Sequence, residues 1–345
     1  MQKPLVAVAS LGGTITMTRD VATAASDDPS PRRTQGVTPS LTAADLTSAV
    51  PELSAVAEIR AETLFTMPGA SIGVTELLAA LDWARAAVAD GAAGVVLVQG
   101  TDTLEESAYL LDLYWDRPEP LVMAGAMRPP QYPGADGPAN LMAAVLTAAE
   151  PDARGLGVLV VLGDEVHAAV RVRKTDSSMV GAFSSAPFGP LARVHEGRVA
   201  YGNRPPRPRP APLPRPAAPD RSPRVALLET FLGDDGDLLS LVADAGYDGT
   251  VLAAFGVGHV SADLAAVISK ANEQMPVVFA TRTGSGPVFH GTYGFTGSER
   301  DLTVRGAIPA GWLDARKARL LLWALLAAGS DERTVRAGFA ARAEP

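Results

Sequence analysis

Short apolar runs and amphipathic stretches alternate along most of the chain. Leu5–Ala9, Gly94–Val98, Leu121–Ala124 and Gly155–Leu162 are continuous apolar segments of strand length. Between and after them, Val74–Ala89, Leu104–Trp115 and Ala139–Ala149 follow helical spacing. In the first of these, Leu77, Leu78, Leu81, Ala84 and Val88 fall on one face of a 3.6-residue period. The alternation resumes near the C-terminus. There Val225–Leu228, Thr250–Ala254 and Val277–Ala280 read as strands, and Gly236–Ala245, Ser261–Asn272 and Asp314–Ala328 as helices. Strands that alternate with helices imply parallel sheets covered on both faces. The pattern predicts an α/β protein with a larger N-terminal doubly wound domain, whose sheet is mainly parallel, and a smaller C-terminal α/β domain, also with a parallel sheet.

The pattern breaks at Asn203–Arg224, which holds nine prolines and six arginines in 22 residues. Proline fixes φ and removes a backbone donor, so neither a helix nor a central strand can form there. The expected domains are therefore 1–202 and 225–345, with 203–224 as a semi-extended linker. A proline-rich ligand for a partner's aromatic groove is the other use of such a segment.

Composition narrows the classes. Of 345 residues, 47% are hydrophobic and 20% charged, which excludes disorder of the whole chain. A formal charge of -8 speaks against a general nucleic-acid binder. The chain has no cysteine, which removes disulfides, thiolate nucleophiles and zinc–cysteine sites and fits a cytoplasmic protein. Leu5–Ala9 is too short for a signal-peptide core, and no stretch reaches the roughly 18 apolar residues of a membrane span. The histidines, at positions 167, 195, 259 and 290, form no metal-binding spacing, so no metal is expected.

In open parallel sheets, ligands bind beyond the carboxyl ends of the strands. Five segments qualify. Ser10-Leu11-Gly12-Gly13-Thr14 follows the first strand; its glycines permit a tight turn and Thr14 offers a hydroxyl. It lacks the glycine spacing of a dinucleotide site and the lysine of a P-loop. Gln99–Glu106 places Thr101, Asp102 and Thr103 at a strand end; Asp102 or Thr103 could also cap the next helix, with Glu105 and Glu106 in its first turn. Ala124–Pro130 and Asp136–Asn140 read as a turn and a helix start. Arg171–Asp176 contains Lys174, one of only four lysines among 30 cations. Lysine can be deprotonated and arginine cannot, so Lys174 suits a titratable role; a solvated basic run is the bland account. Thr14, Thr101, Asp102 and Lys174 together suggest threonine-based nucleophilic chemistry. A threonine hydroxyl needs a base, and a lysine amine relayed through a second hydroxyl supplies one. Asp102 then binds a substrate ammonium or holds Lys174.

At these residues the chain resembles the bacterial-type L-asparaginase family. Ser10–Ile15 resembles its first signature and Gln99–Glu106 its second. Gly125–Pro129, Val172–Asp176, Gly256–His259 and Lys317–Leu320 extend the likeness in the same order over nearly all of the chain. The resemblance implies hydrolysis of the L-asparagine side-chain amide without cofactor or metal, with some L-glutamine turnover. It implies Thr14 as the nucleophile, and Thr101, Asp102 and Lys174 as the second catalytic group, with Asp102 also holding the substrate ammonium. Gly100 and Ala126 would line the amide and oxyanion region, and Ser71 would grip the substrate carboxylate. Glu299 of a neighbouring subunit would complete the site in a homotetramer built as a dimer of dimers. Two departures stand out: Met17–Pro39 lacks the tyrosine usual in the family's lid, and Gln99 replaces a common histidine. The flexible-looking stretch Val21–Gln35 would form that lid. An ammonia-releasing subunit of a tRNA-dependent amidotransferase, or a weakened amino-acid-binding protein, are the competing readings.

Overall fold

The computed structural model of the chain describes residues 3–19, 37–205, 209–216 and 222–344. The expected lid stretch Val21–Gln35 lies outside the described residues. The chain divides into two units, Met1–Arg209 and Pro210–Pro345. The division falls inside the proline- and arginine-rich segment, whose described residues form neither helix nor strand.

The first unit is built on an eight-stranded sheet. Its strands are β1 (Leu5–Gly12), β2 (Glu58–Met67), β3 (Gly94–Val98), β4 (Leu121–Ala124), β5 (Val158–Leu162), β6 (Glu165–Ala168), β7 (Ala192–His195) and β8 (Arg198–Tyr201). They lie in the order β8-β7-β6-β5-β4-β3-β1-β2. The five from β5 to β2 are parallel, and β6, β7 and β8 add antiparallel. Every residue of β3, β4 and β5 is buried, as central parallel strands covered on both faces should be. On one face Val6, Val96, Val122 and Val161 pack with Leu141 and Val145 of helix α3 (Gly137–Ala149). Helices α1 (Val74–Ala89) and α2 (Leu104–Tyr114) precede it in the chain.

Two differences from the sequence pattern have physical causes. β2 has no apolar run, because it is an edge strand whose Glu58, Arg60 and Glu62 face away from the core. β5 begins at Val158 rather than Gly155, because Gly155 and Gly157 adopt positive φ in a turn.

The register sets the site. Ser10 pairs with Val98, Val98 with Ala124, Ala124 with Val161, and Gly12 with Met67. The carboxyl ends of all five parallel strands therefore share one edge, where the turns after β1, β2 and β3 meet. Gly13 has φ of 91°. A Cβ there would lie 2.1 Å from Gly100 Cα, and a Cβ on Gly100 would lie 2.9 Å from Gly69 Cα. No side chain fits between these backbones.

The second unit has four parallel strands in the order β9 (Val225–Glu229), β10 (Gly249–Ala254), β11 (Val277–Thr281) and β12 (Ile308–Pro309). Its helices are α4 (Asp237–Asp244), α5 (Ala262–Asn272), α6 (Glu299–Val304), α7 (Ala315–Ala327) and α8 (Glu332–Ala340). Side chains cap the starts of α5 and α7: Ser261 accepts from the Leu264 N–H, and Asp314 from those of Arg316 and Lys317. Among the described residues no helix is long and apolar enough to cross a membrane.

The contact at Gly13 can be separated from its dihedral. Gly91 has a similar φ of 95° and nothing within 4 Å of an added Cβ. Gly91→Ala should therefore cost only dihedral strain, about 1–2 kcal/mol, and Gly13→Ala at least about 2 kcal/mol more, read by denaturant unfolding. Equal losses would contradict the backbone contact.

Candidate active site

The residues singled out in the first unit converge at this strand edge. Thr14 opens a single 3-10 turn, Thr14–Thr16, directly after Gly13. The turn is closed by the Thr16 N–H and hydroxyl, which both donate to Gly13 O. Gly13 lies on Gly100, so the turns that carry Thr14 and Thr101 meet backbone to backbone. Thr101 is 4% exposed. Lys174 Nζ donates to Thr101 Oγ1 at 2.9 Å and stands 3.5 Å from Asp102 Oδ1. Asp102 is exposed. An ion pair open to solvent contributes only about 0–1 kcal/mol, so the fold does not depend on it and Asp102 remains available to a ligand.

Lys174 reaches this place on a two-residue ladder, Arg173–Lys174 against Phe183–Ser184. Glu105, buried in the first turn of α2, accepts the backbone N–H of Lys174. The same turn thus holds the lysine's backbone on one side and continues from Thr101 on the other. Thr103 does not cap α2 with its side chain. Its hydroxyl donates to Gly69 O at 2.9 Å and ties the turn after β2 to the turn after β3. Ser71 follows two residues on and is exposed. Gln99 is directed into α2, where Nε2 donates to Thr103 Oγ1 at 3.0 Å and Ser107 Oγ at 2.9 Å. Ala126 is fully buried after β4. A Cβ on its neighbour Gly125 would lie 3.2 Å from Thr101 Cγ2, so this turn also lies against Thr101.

Sequence reasoning missed Glu105 as a holder of Lys174, Thr103 as a tie to Gly69, and the partners of Asp136 and Asn140. Each uses a polar side chain for a backbone bond outside its own helix start, and local capping patterns give no sign of that.

Glu299 belongs to the second unit, where it begins α6 and is 0% exposed. Its Oε1 accepts the N–H groups of Thr292 and Tyr293, both at 2.8 Å. His259 Nε2 lies 3.1 Å from its Oε2, which places the ring proton on Nε2 when the carboxyl is ionised. The His259 ring meets the Tyr293 and Phe295 rings edge-on, at 4.8 and 5.0 Å. Burial alone raises the Glu299 pKa, but the N–H groups of Tyr293, Glu299 and Thr292 and the His259 ring outweigh it and hold the pKa below the ordinary glutamate value. Among the described residues no three acidic or imidazole groups converge as a metal site requires.

Comparison with known proteins adds to this geometry. Residues 5–207 match the family model described as Asparaginase, N-terminal, and residues 224–339 match Glutaminase/Asparaginase C-terminal domain. A probable L-asparaginase of Deinococcus radiodurans is 38% identical over 255 residues, 73% of this chain and 76% of that one. L-asparaginase 2 of Escherichia coli is 31% identical over 293 residues, 84% of this chain and 82% of that one. A glutamyl-tRNA(Gln) amidotransferase subunit of Aeropyrum pernix is 33% identical over 344 residues, 97% of this chain and 77% of that one.

Glu299 makes a pH prediction. Its folded pKa is lowered, so the ionised carboxylate stabilises the fold above the unfolded value of about 4.3 and loses that contribution as pH falls through the folded value. Wild type should therefore be more stable than Glu299→Gln at neutral pH, and thermal unfolding curves of the two should converge as pH drops below about 4. Curves that stay equally far apart well below pH 4 would contradict the assignment.

Proposed function

The chain belongs to the asparaginase family of amidohydrolases, and from that premise we propose that it hydrolyses the side-chain amide of L-asparagine to L-aspartate and ammonia through an acyl-enzyme on Thr14. The observation that supports this reading best is the Lys174 Nζ–Thr101 Oγ1 hydrogen bond of 2.9 Å beside the turn that presents Thr14. It supplies the base that a threonine nucleophile needs where histidine is absent.

In this reading Thr14 Oγ bonds to the amide carbon and its proton passes toward Thr101 and Lys174. The C–N bond then breaks, the nitrogen takes up that proton, and ammonia leaves. Water attacks the ester, the bond from carbon to Thr14 Oγ breaks, and Thr14 regains its proton as L-aspartate departs. Asp102 faces the substrate ammonium, Ser71 the substrate carboxylate, and Gly100 and Ala126 the reacting amide. Discrimination against L-glutamine rests on one methylene, about 1–3 kcal/mol, so minor L-glutaminase activity belongs to the proposal. So do a cytoplasmic location, which the cysteine-free composition fits, and a homotetramer in which Glu299 of a neighbouring copy completes the site. Sedimentation velocity tests the homotetramer, and a monomer active at full rate would remove that role of Glu299.

The likeness to an amidotransferase component supports a second reading, in which the chain releases ammonia for a partner. Ammonia release by the isolated chain from free L-asparagine separates the two, because the second reading expects release only with the partner present.

Thr14→Ala should lower ammonia release from L-asparagine by about 10⁴-fold or more with the circular-dichroism spectrum unchanged. Lys174→Arg keeps the charge but cannot take up a proton, and should lose about 10²-fold or more. Full activity in Thr14→Ala would remove the nucleophile assignment; full activity in Lys174→Arg would make Lys174 structural.

A further inference from the structure

The segment Asp136-Gly137-Pro138-Ala139-Asn140 plays no part in the proposed chemistry, yet it holds two of the most buried polar side chains near the site. Asp136 is 7% exposed and Asn140 2%. Asp136 precedes α3, where a carboxylate ordinarily caps its own helix, but its side chain makes no such bond. Pro138 explains part of this, since it has no N–H to offer a cap. The carboxylate reaches instead to the turn after β4. Its Oδ2 accepts the Met127 N–H and its Oδ1 the Arg128 N–H, each at 2.9 Å. Asn140, one helical turn on, donates from Nδ2 to Gly125 O and to Asp136 Oδ2, both at 3.0 Å. Its Oδ1 accepts the Gly163 N–H at 3.0 Å.

These bonds grip both peptide groups that flank Ala126. In a trans peptide the C=O and N–H point in opposite directions. The Met127 N–H points at Asp136, so the Ala126 carbonyl points away from it. The Gly125 carbonyl points at Asn140, so the Ala126 N–H points away from that side. Ala126 follows Gly125, which lies against Thr101, and shares the surface of Gly137 with Ile15, the residue after Thr14. A Cβ on Gly137 would meet Ile15 Cγ1 at 2.9 Å and Ala126 Cβ at 3.6 Å, and Gly125 lies against Thr101. A buried, fully partnered network of this kind is rigid, and it commits charge and amide to one backbone direction.

We infer that Asp136 and Asn140 are positioning residues that hold the Ala126 carbonyl to accept a hydrogen bond from the nitrogen leaving the substrate. The inference rests on the asparaginase reading given above. As the C–N bond breaks, the nitrogen loses conjugation and gathers a proton, so its N–H becomes a stronger donor. A carbonyl fixed in place gains most at that point, and the bond favours the transition state over bound substrate.

The test compares two substrates that share one acyl group. L-asparagine leaves as ammonia, and L-aspartate β-methyl ester leaves as methanol from an oxygen that bears no hydrogen in the substrate. Both yield L-aspartate, so one assay follows both. The constant to compare is kcat/KM, which covers the steps up to departure of the leaving group. Asn140→Ala and the isosteric Asp136→Asn should each lose about 10- to 100-fold on the amide and less than about threefold on the ester. Each variant is compared with itself, so a smaller folded fraction cancels from the ratio. Equal losses on the two substrates, complete inactivity on both included, would overturn the inference and make the network structural only. Unchanged amide hydrolysis would overturn it as well. Wild type inactive on both substrates would instead remove the asparaginase reading, and the inference with it.

Discussion

The contact of three glycine backbones at the ends of β1, β2 and β3 is the constraint on which the site depends. Gly13, Gly69 and Gly100 approach so closely that a Cβ on Gly13 would lie 2.1 Å from Gly100, and a Cβ on Gly100 would lie 2.9 Å from Gly69 and 3.1 Å from Gly13. That approach joins the turns that carry Thr14, Thr101 and Ser71 at one edge of the sheet. The first turn of α2 then fastens the arrangement. Thr103 bonds Gly69 O, and Glu105 bonds the Lys174 backbone. One helical turn thereby aligns a loop from β2, a loop from β3 and a ladder some seventy residues away in sequence.

A second device recurs in both units. Asp136 and Glu299 are buried acids at helix starts, and each accepts two consecutive backbone N–H groups of the loop before it. Successive N–H groups form a concave site for an anion, and here the anion is part of the chain. A side chain then adds a further donor to each carboxylate, Asn140 in one case and His259 in the other. The loops are shaped by charge because their own side chains are small or exposed and bury little apolar surface. At Glu299 the free energy of the site depends on ionisation, whereas that of the glycine contact does not.

The parallel core was legible in the sequence because central strands buried on both faces must be continuously apolar: β3 and β4 stand at the residues that the pattern marks. β2 was not, since an edge strand keeps polar residues on its open side. The candidate site was legible where local geometry demands a residue type, as in the glycine turn before Thr14. Lys174 drew notice as a lysine in a chain that uses arginine elsewhere. Glu105, Asp136 and Asn140 escaped because they bond backbone outside the helix that each begins, and each has an ordinary local explanation as a helix-start residue. Gln99, which departs from the family's usual histidine, is directed into α2 and supports Thr103.

The central claim is that these contacts make Thr14 the residue that attacks. Rapid-quench mass spectrometry with L-asparagine tests it most directly, with ammonia followed in the same reaction. The account predicts a β-aspartyl ester on the Thr14 hydroxyl that forms with the first ammonia released and decays as aspartate appears. The same ester on Thr101, or a burst of ammonia with Thr14 unmodified, would contradict it.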